Sequence, residues 1–100
     1  MKTIEQRRQV YVLAQKQWGK KAQMEMAQEE ATELALAIRK QIRKNDDITF
    51  ANLVEEVADM EIMIEQIDLM HGESFRQLVD FQKEFKVERL AQRVNKNTFE

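Results

Sequence analysis

The chain has 100 residues, with no proline, no cysteine and two glycines, and 43% of it is hydrophobic against 34% charged. That length carries one modest core, and the dominance of Ala, Leu, Glu, Gln, Lys, Arg and Met favours an all-α fold over any sheet architecture. The hydrophobic share excludes a disordered chain, the net charge of −2 excludes a whole-chain footprint for nucleic acid, and the lack of cysteine excludes a disulfide framework or thiolate metal site.

The opening "MKTIEQRRQVYVLAQ" contains no uninterrupted apolar run, so neither a signal peptide nor a membrane span is expected there. Together with the absence of cysteine this suits a cytoplasmic protein with no membrane partner. Helical periodicity begins near Ile4 and reaches Trp18, where Gly19 ends or bends the helix. A second helix is predicted over about 20–44. The polar cluster "KNDDIT" follows it, with Asp47 or Thr49 as the expected N-cap of a third helix over about 50–71. In "HGES", Gly72 is placed as a stop and Ser74 as the next N-cap, opening a fourth helix over about 74–95. No linker, repeat or low-complexity tract interrupts the chain, so a single helical domain over 1–100 is expected. The second and third helices are the long ones, and the short loop makes them antiparallel neighbours.

Helical periodicity sorts the side chains of the second helix by sector. Ala27, Ala31, Leu34, Ala35, Ile38 and Ile42 form an apolar stripe, and Glu29 falls among the solvent-facing residues. Glu30 and Glu33 share a sector with Gln23, Met26 and Ala37 along the edge of that stripe. In the third helix Leu53, Val57, Met60, Ile64 and Ile67 form an apolar arc, and Glu61, Glu65 and Asp68 a solvent arc. Glu56 and Asp59 lie on a different side, below Met63 and Met70. Ala58, Ile62 and Leu69 face a third direction, and a helix apolar on more than one side suggests a second copy of the chain as partner.

Four carboxylates converging from two packed helices repel one another strongly even at an effective dielectric of about 20. They stay ionised together only with a compensating cation. Hard divalent cations take oxygen ligands, and Mg²⁺ keeps waters and phosphate oxygens beside a few carboxylates. Spacing at i, i+3 puts both acids of each helix on one face. The pattern therefore implies an acidic patch on facing helices that holds Mg²⁺ and, through it, a phosphorylated ligand.

At these residues the sequence resembles the MazG-like, all-α nucleoside triphosphate pyrophosphatases. "EATE" (Glu30 to Glu33), followed 22 residues later by "EVAD" (Glu56 to Asp59), matches the family's E-x-x-E…E-x-x-D signature. "QWGKKAQMEMAQEEATEL" is similar to its W-G…Q…EE-x-x-EL segment, "EEVADMEIMIEQI" to its EE-x-AD…I…Q segment, and "KVERL" to a K-x-x-RL element; together they span roughly Trp18 to Leu90. The resemblance implies a four-helix core assembled as a homodimer or homotetramer. It further implies Mg²⁺-dependent cleavage of a (d)NTP between the α and β phosphates, giving (d)NMP and pyrophosphate, with Mn²⁺ as a possible substitute. Glu30, Glu33, Glu56 and Asp59 would be the metal ligands and catalytic carboxylates, serving a metal-activated water. Lys86 and Arg89 would meet phosphate charge, in their own or the neighbouring subunit. Phosphoribosyl-ATP pyrophosphohydrolase shares the acid pattern, but "EMAQEE" replaces its K-V-G-E-E run. One short domain fits a compact bacterial or phage-type member rather than a tandem two-domain enzyme.

Each of these residues has a plainer reading. Without the motif, the four acids are ordinary charges on solvated helix faces. Trp18 is a core or interface anchor, or else a wall of the base pocket. Gln23 is a surface residue, or else touches a metal-held water or the base. His71 caps a helix end, the methionines are packing material, and "RKQIRK" supplies cations to a helix C-terminus. A non-catalytic helical nucleotide-binding or interaction module is the competing function. The acidic balance disfavours a nucleic-acid binder.

Overall fold

The computed structural model describes residues 1–96. They form α1 (Ile4–Trp18), α2 (Lys20–Lys44), α3 (Asp47–His71) and α4 (Glu73–Asn95), with no strand among them. The expected all-α class and the four helices are therefore present. Packing gathers the chain into two compact units, Met1–Met70 with α1 to α3, and His71–Glu100 with α4.

Local chemistry sets the helix ends. Thr3 and Gln6 close a reciprocal capping box on α1, with the Gln6 N–H donating to Thr3 Oγ1 at 3.1 Å and the Thr3 N–H to Gln6 Oε1 at 2.9 Å. Gly19 stands between α1 and α2 at φ 90°, a backbone conformation that side chains rarely adopt. A Cβ there would meet no atom, so the requirement is one of backbone and not of space. α2 ends at Asn45, whose left-handed backbone (φ 50°) is tolerated by a short polar side chain. Its N–H donates to Gln41 O, and its Oδ1 accepts from Gln41 Nε2, both at 2.8 Å.

The third helix starts earlier than the predicted position near 50, and its cap is neither Asp47 nor Thr49. Asp46 accepts from the Thr49 N–H at 2.8 Å, and the Asp46 N–H donates to Thr49 Oγ1 at 3.2 Å. Thr49 is thus the partner in a capping box built one residue upstream. These bonds hold the Asp46 carboxyl below its ordinary range. At the last turn Gly72 (φ 86°) takes the cap position and Ser74 lies inside the first turn of α4.

Within the first unit, α2 and α3 meet along narrow seams. The shielded positions of α2 include Gln23, Ala27, Glu30, Leu34, Ala37 and Gln41; those of α3 include Thr49, Leu53, Glu56, Met60, Met63, Ile67 and Met70. The α2 set advances by alternating steps of four and three, the 3.5-residue repeat of helices that pack along a strip, whereas in α3 Asn52, Glu65, Gln66, Asp68 and Leu69 are shielded as well. The expected stripe of α2 is corrected accordingly: Ala27 and Leu34 are shielded, whereas Ala31, Ala35, Ile38 and Ile42 are exposed. In α3, Val57 and Ile64 of the expected arc are exposed, and the sector of Glu56 and Met63 turns inward. The inward strip has rotated toward the acids and left the wider apolar arcs outside. α1 packs on α2 and reaches α3 through buried Tyr11.

Candidate metal centre

A two-residue link joins the long helices, so the chain folds back on itself between Lys44 and Asp47. The reversal brings Glu30 of α2 close to Glu56 and Asp59 of α3.

Glu30, Glu56 and Asp59 each offer a carboxylate oxygen, and the three atoms lie within 4.8 Å of one another. Glu30 and Glu56 are half-buried on the seam, and Asp59 is exposed at its margin. Glu33 is exposed and outside that trio, yet its charge acts on both glutamates.

The electrostatics follow from this crowding. Partial burial is the largest cause pushing the Glu30 carboxyl above its ordinary value, followed by the charge of Asp59 and a hydrogen bond with it, then the charges of Glu56 and Glu33. Glu56 is raised for the same reasons: burial first, then the hydrogen bond and charge of Asp59, then Glu33 and Glu55. A hydrogen bond between two carboxyl groups needs a proton on one of them. Burial and the neighbouring charges thus shift Glu30 and Glu56 toward their protonated forms.

The donor set suits a hard divalent cation, because all three atoms are carboxylate oxygens and the exposed side of Asp59 leaves room for further ligands. Glu30, Glu56 and Asp59 would hold such an ion, with Glu33 beside them.

The remaining candidates divide. Gln23 is 5% exposed, so its reading as a surface residue is corrected, whereas Trp18 is 61% exposed and is not a core anchor. Lys86 and Arg89 belong to the second unit, both exposed on α4 and one turn apart. His71 stacks on Phe75 at 4.8 Å between ring centroids.

One constellation gave no sequence signal. Glu65, expected in a solvent arc, accepts a 2.5 Å hydrogen bond from Tyr11 Oη and lies 3.7 Å from Arg7 Nη1. Burial, this bond and the charge of Glu65 push the Tyr11 phenol up to about 12. Tyr11 and Glu65 stand 54 residues apart, so no local pattern could reveal the pair. They border an open groove of about 360 Å³ between α1 and α3, which none of the four motif acids lines.

Comparison with protein-family models, with curated proteins and with solved structures finds no match to this chain, so the resemblance to the MazG-like enzymes rests on the motif residues themselves.

Proposed function

We propose that the protein is a Mg²⁺-dependent nucleotide pyrophosphohydrolase of the MazG-like class, converting a (d)NTP to (d)NMP and pyrophosphate. The observation that carries this reading is the convergence of Glu30, Glu56 and Asp59 from two helices, with carboxylate oxygens within 4.8 Å of one another. The three carboxylates crowd together, and burial with their mutual charge raises Glu30 and Glu56.

Bound divalent cations supply charge neutralisation for the triphosphate and activate the attacking water. The chain's own residues do the rest. Water adds at the α phosphorus, the bond to the bridging oxygen of the β phosphate breaks, and pyrophosphate leaves. A carboxylate oxygen of the cluster takes the proton of the water, and the raised affinity of Glu30 and Glu56 for protons suits that role. Lys86 and Arg89, one turn apart on α4, are the cations available for phosphate charge. Trp18, exposed at the end of α1 just ahead of the acidic helix, walls the base side or anchors a second copy. The enzyme acts as a homodimer or homotetramer in the cytoplasm. Exposed Leu13, Leu36, Ile38, Phe81 and Phe85 support the assembly, since an isolated chain would leave them in water.

The test is pyrophosphate release from a panel of dNTPs and NTPs with Mg²⁺ or Mn²⁺. Release from at least one substrate, abolished in Glu30→Gln and Asp59→Asn, is expected. A folded, oligomeric protein that releases none would leave the non-catalytic binding module as the better reading.

A further inference from the structure

We infer that the open groove between α1 and α3 is the seat of α4 from a second copy of the chain, with Leu78, Phe81 and Phe85 laid on its apolar floor. The exchange is reciprocal, so each copy gives one helix and receives one. This goes beyond the assembly named above by specifying both surfaces, and it does not depend on the nucleotide reading.

Leu78, Phe81 and Phe85 recur at i, i+3 and i+7 and so line one face of α4. They are 65%, 67% and 61% exposed. That spacing is the one by which an amphipathic helix anchors itself in a groove. From Asp80 to Lys96, Arg93 is the one residue that is even partly shielded. The groove, of about 360 Å³, offers a counterpart of the same length. Val10, Ala58 and Ile62 form its floor, and its α3 lining runs from Ala58 to Glu65. That is seven residues, or about 10 Å of helix, the same span as from Leu78 to Phe85.

The charges on the two surfaces are complementary. Lys2 and Arg7 border the groove on the α1 side, and Glu61 and Glu65 on the α3 side. On α4, Glu84 and Glu88 follow one margin of the apolar strip. The other margin, with Gln82, Lys86 and Arg89, carries no acid to set against Glu61 and Glu65. One direction of α4 in the groove puts Glu84 and Glu88 beside Lys2 and Arg7. The reverse direction sets acids against acids, so the charges also choose the direction. The contact of Arg7 with Glu65, at 3.7 Å and about half exposed, is too weak to withhold those charges from a partner.

The area fits an exchange between copies. A folded monomer of 11.9 kDa ordinarily exposes about 6,000 Å², whereas this chain exposes 8416 Å². The excess of roughly 2,400 Å² is what one chain gives up in a large obligate interface, which buries about 2,000–5,000 Å² over both partners. A twofold exchange covers two strips and two grooves at once, and one sequence supplies both surfaces.

The chain has no cysteine, so introduced thiols give a clean test. Ile62 lies mid-groove and Phe81 mid-strip, so they meet whichever way the helix runs. Full-length Ile62→Cys and a differently tagged Phe81→Cys are mixed, unfolded and refolded together, and treated with a short bis-maleimide. Cross-linking between the two tags is expected to exceed at least tenfold that of Ile62→Cys with Val87→Cys, whose thiol lies on the far side of α4. Equal yields from the two mixtures overturn the proposal. In the double variant Ile62→Cys, Phe81→Cys, a cross-link at monomer mass alone would mean that a chain's own α4 fills its groove, and that also overturns it. If Ile62→Cys fails to fold, Ala58→Cys replaces it with the same expectation. Independently, Phe81→Glu should raise the dissociation constant of the dimer at least tenfold in sedimentation, and Val87→Glu less than twofold. Wild-type protein that stays monomeric, or equal effects of the two substitutions, counts against these surfaces. Pyrophosphate release enters none of these readouts, so the interface and the nucleotide reading fail separately.

Discussion

Glu30 is the residue on which folding and chemistry conflict. It occupies a seam position that an apolar side chain would fill at no electrostatic cost, and its carboxyl is raised by burial and by three neighbouring acids. A carboxyl whose folded-state value is raised favours folding below its unfolded value, and that contribution is lost as pH rises through the folded value. With Glu56 shifted the same way, the metal-free protein should gain thermal stability as pH is lowered from 7 toward the ordinary carboxyl range, and a divalent cation should flatten that slope. Glu30→Gln should raise the melting temperature of the metal-free protein at pH 7 and remove part of its pH dependence. A fall in melting temperature would mean that the ionised carboxylate is a structural partner. Tyr11 offers a second and cleaner check, since it is the one tyrosine of the chain. Absorbance at alkaline pH should show a single phenolate transition near 12, and Glu65→Gln should bring it down toward the ordinary value.

At the scale of elements, the turn between α2 and α3 is the feature that sets the site. The left-handed Asn45 ends one helix, and the Asp46–Thr49 box starts the next. Asp46→Ala should lower the midpoint of denaturant unfolding through loss of the cap, and should weaken Mn²⁺ binding because the turn that gathers Glu30, Glu56 and Asp59 loosens. Much of this was legible in the sequence. Gly19, Gly72 and the polar "KNDDIT" cluster marked the breaks, and the two acid motifs were singled out from their neighbours. The sector plots failed where they assumed a 3.6-residue face, because a hairpin packing along one strip selects a 3.5-residue repeat. Hence Ile38 and Ile42 turned out exposed and Gln23 buried. Long-range partners such as Tyr11 and Glu65 have no sequence signature at all, because nothing local in either segment calls for the other.

At the scale of the whole molecule, the apolar surface is the dominant fact. Tyr11, Ala27, Ala37 and Met63 are the only hydrophobic residues counted as buried among those described, whereas Leu36, Phe50, Leu78, Phe81, Phe85 and Leu90 are about half exposed or more. Such a balance is a poor core for an independent chain of this length. Sedimentation at micromolar concentration should give a mass at least twice the 11.9 kDa of one chain. Melting temperature should fall on dilution, because assembly and folding would be linked by mass action. A stable monomer at all concentrations would oppose the assembly proposed above.

The two-residue turn also has a kinetic consequence. All four motif acids lie on one hairpin, so their meeting requires only a local chain reversal and no distant segment. The acids would then confront one another at the first encounter of the helices, in the folding transition state and not after it. A cation that relieves their repulsion should act on the rate of folding. In stopped-flow refolding, Mg²⁺ or Mn²⁺ is expected to steepen the refolding limb upward while changing the unfolding limb much less. Asp46→Ala should slow refolding by nearly the whole of its equilibrium effect. A cation effect confined to unfolding would place the meeting of the acids late, after the hairpin has closed.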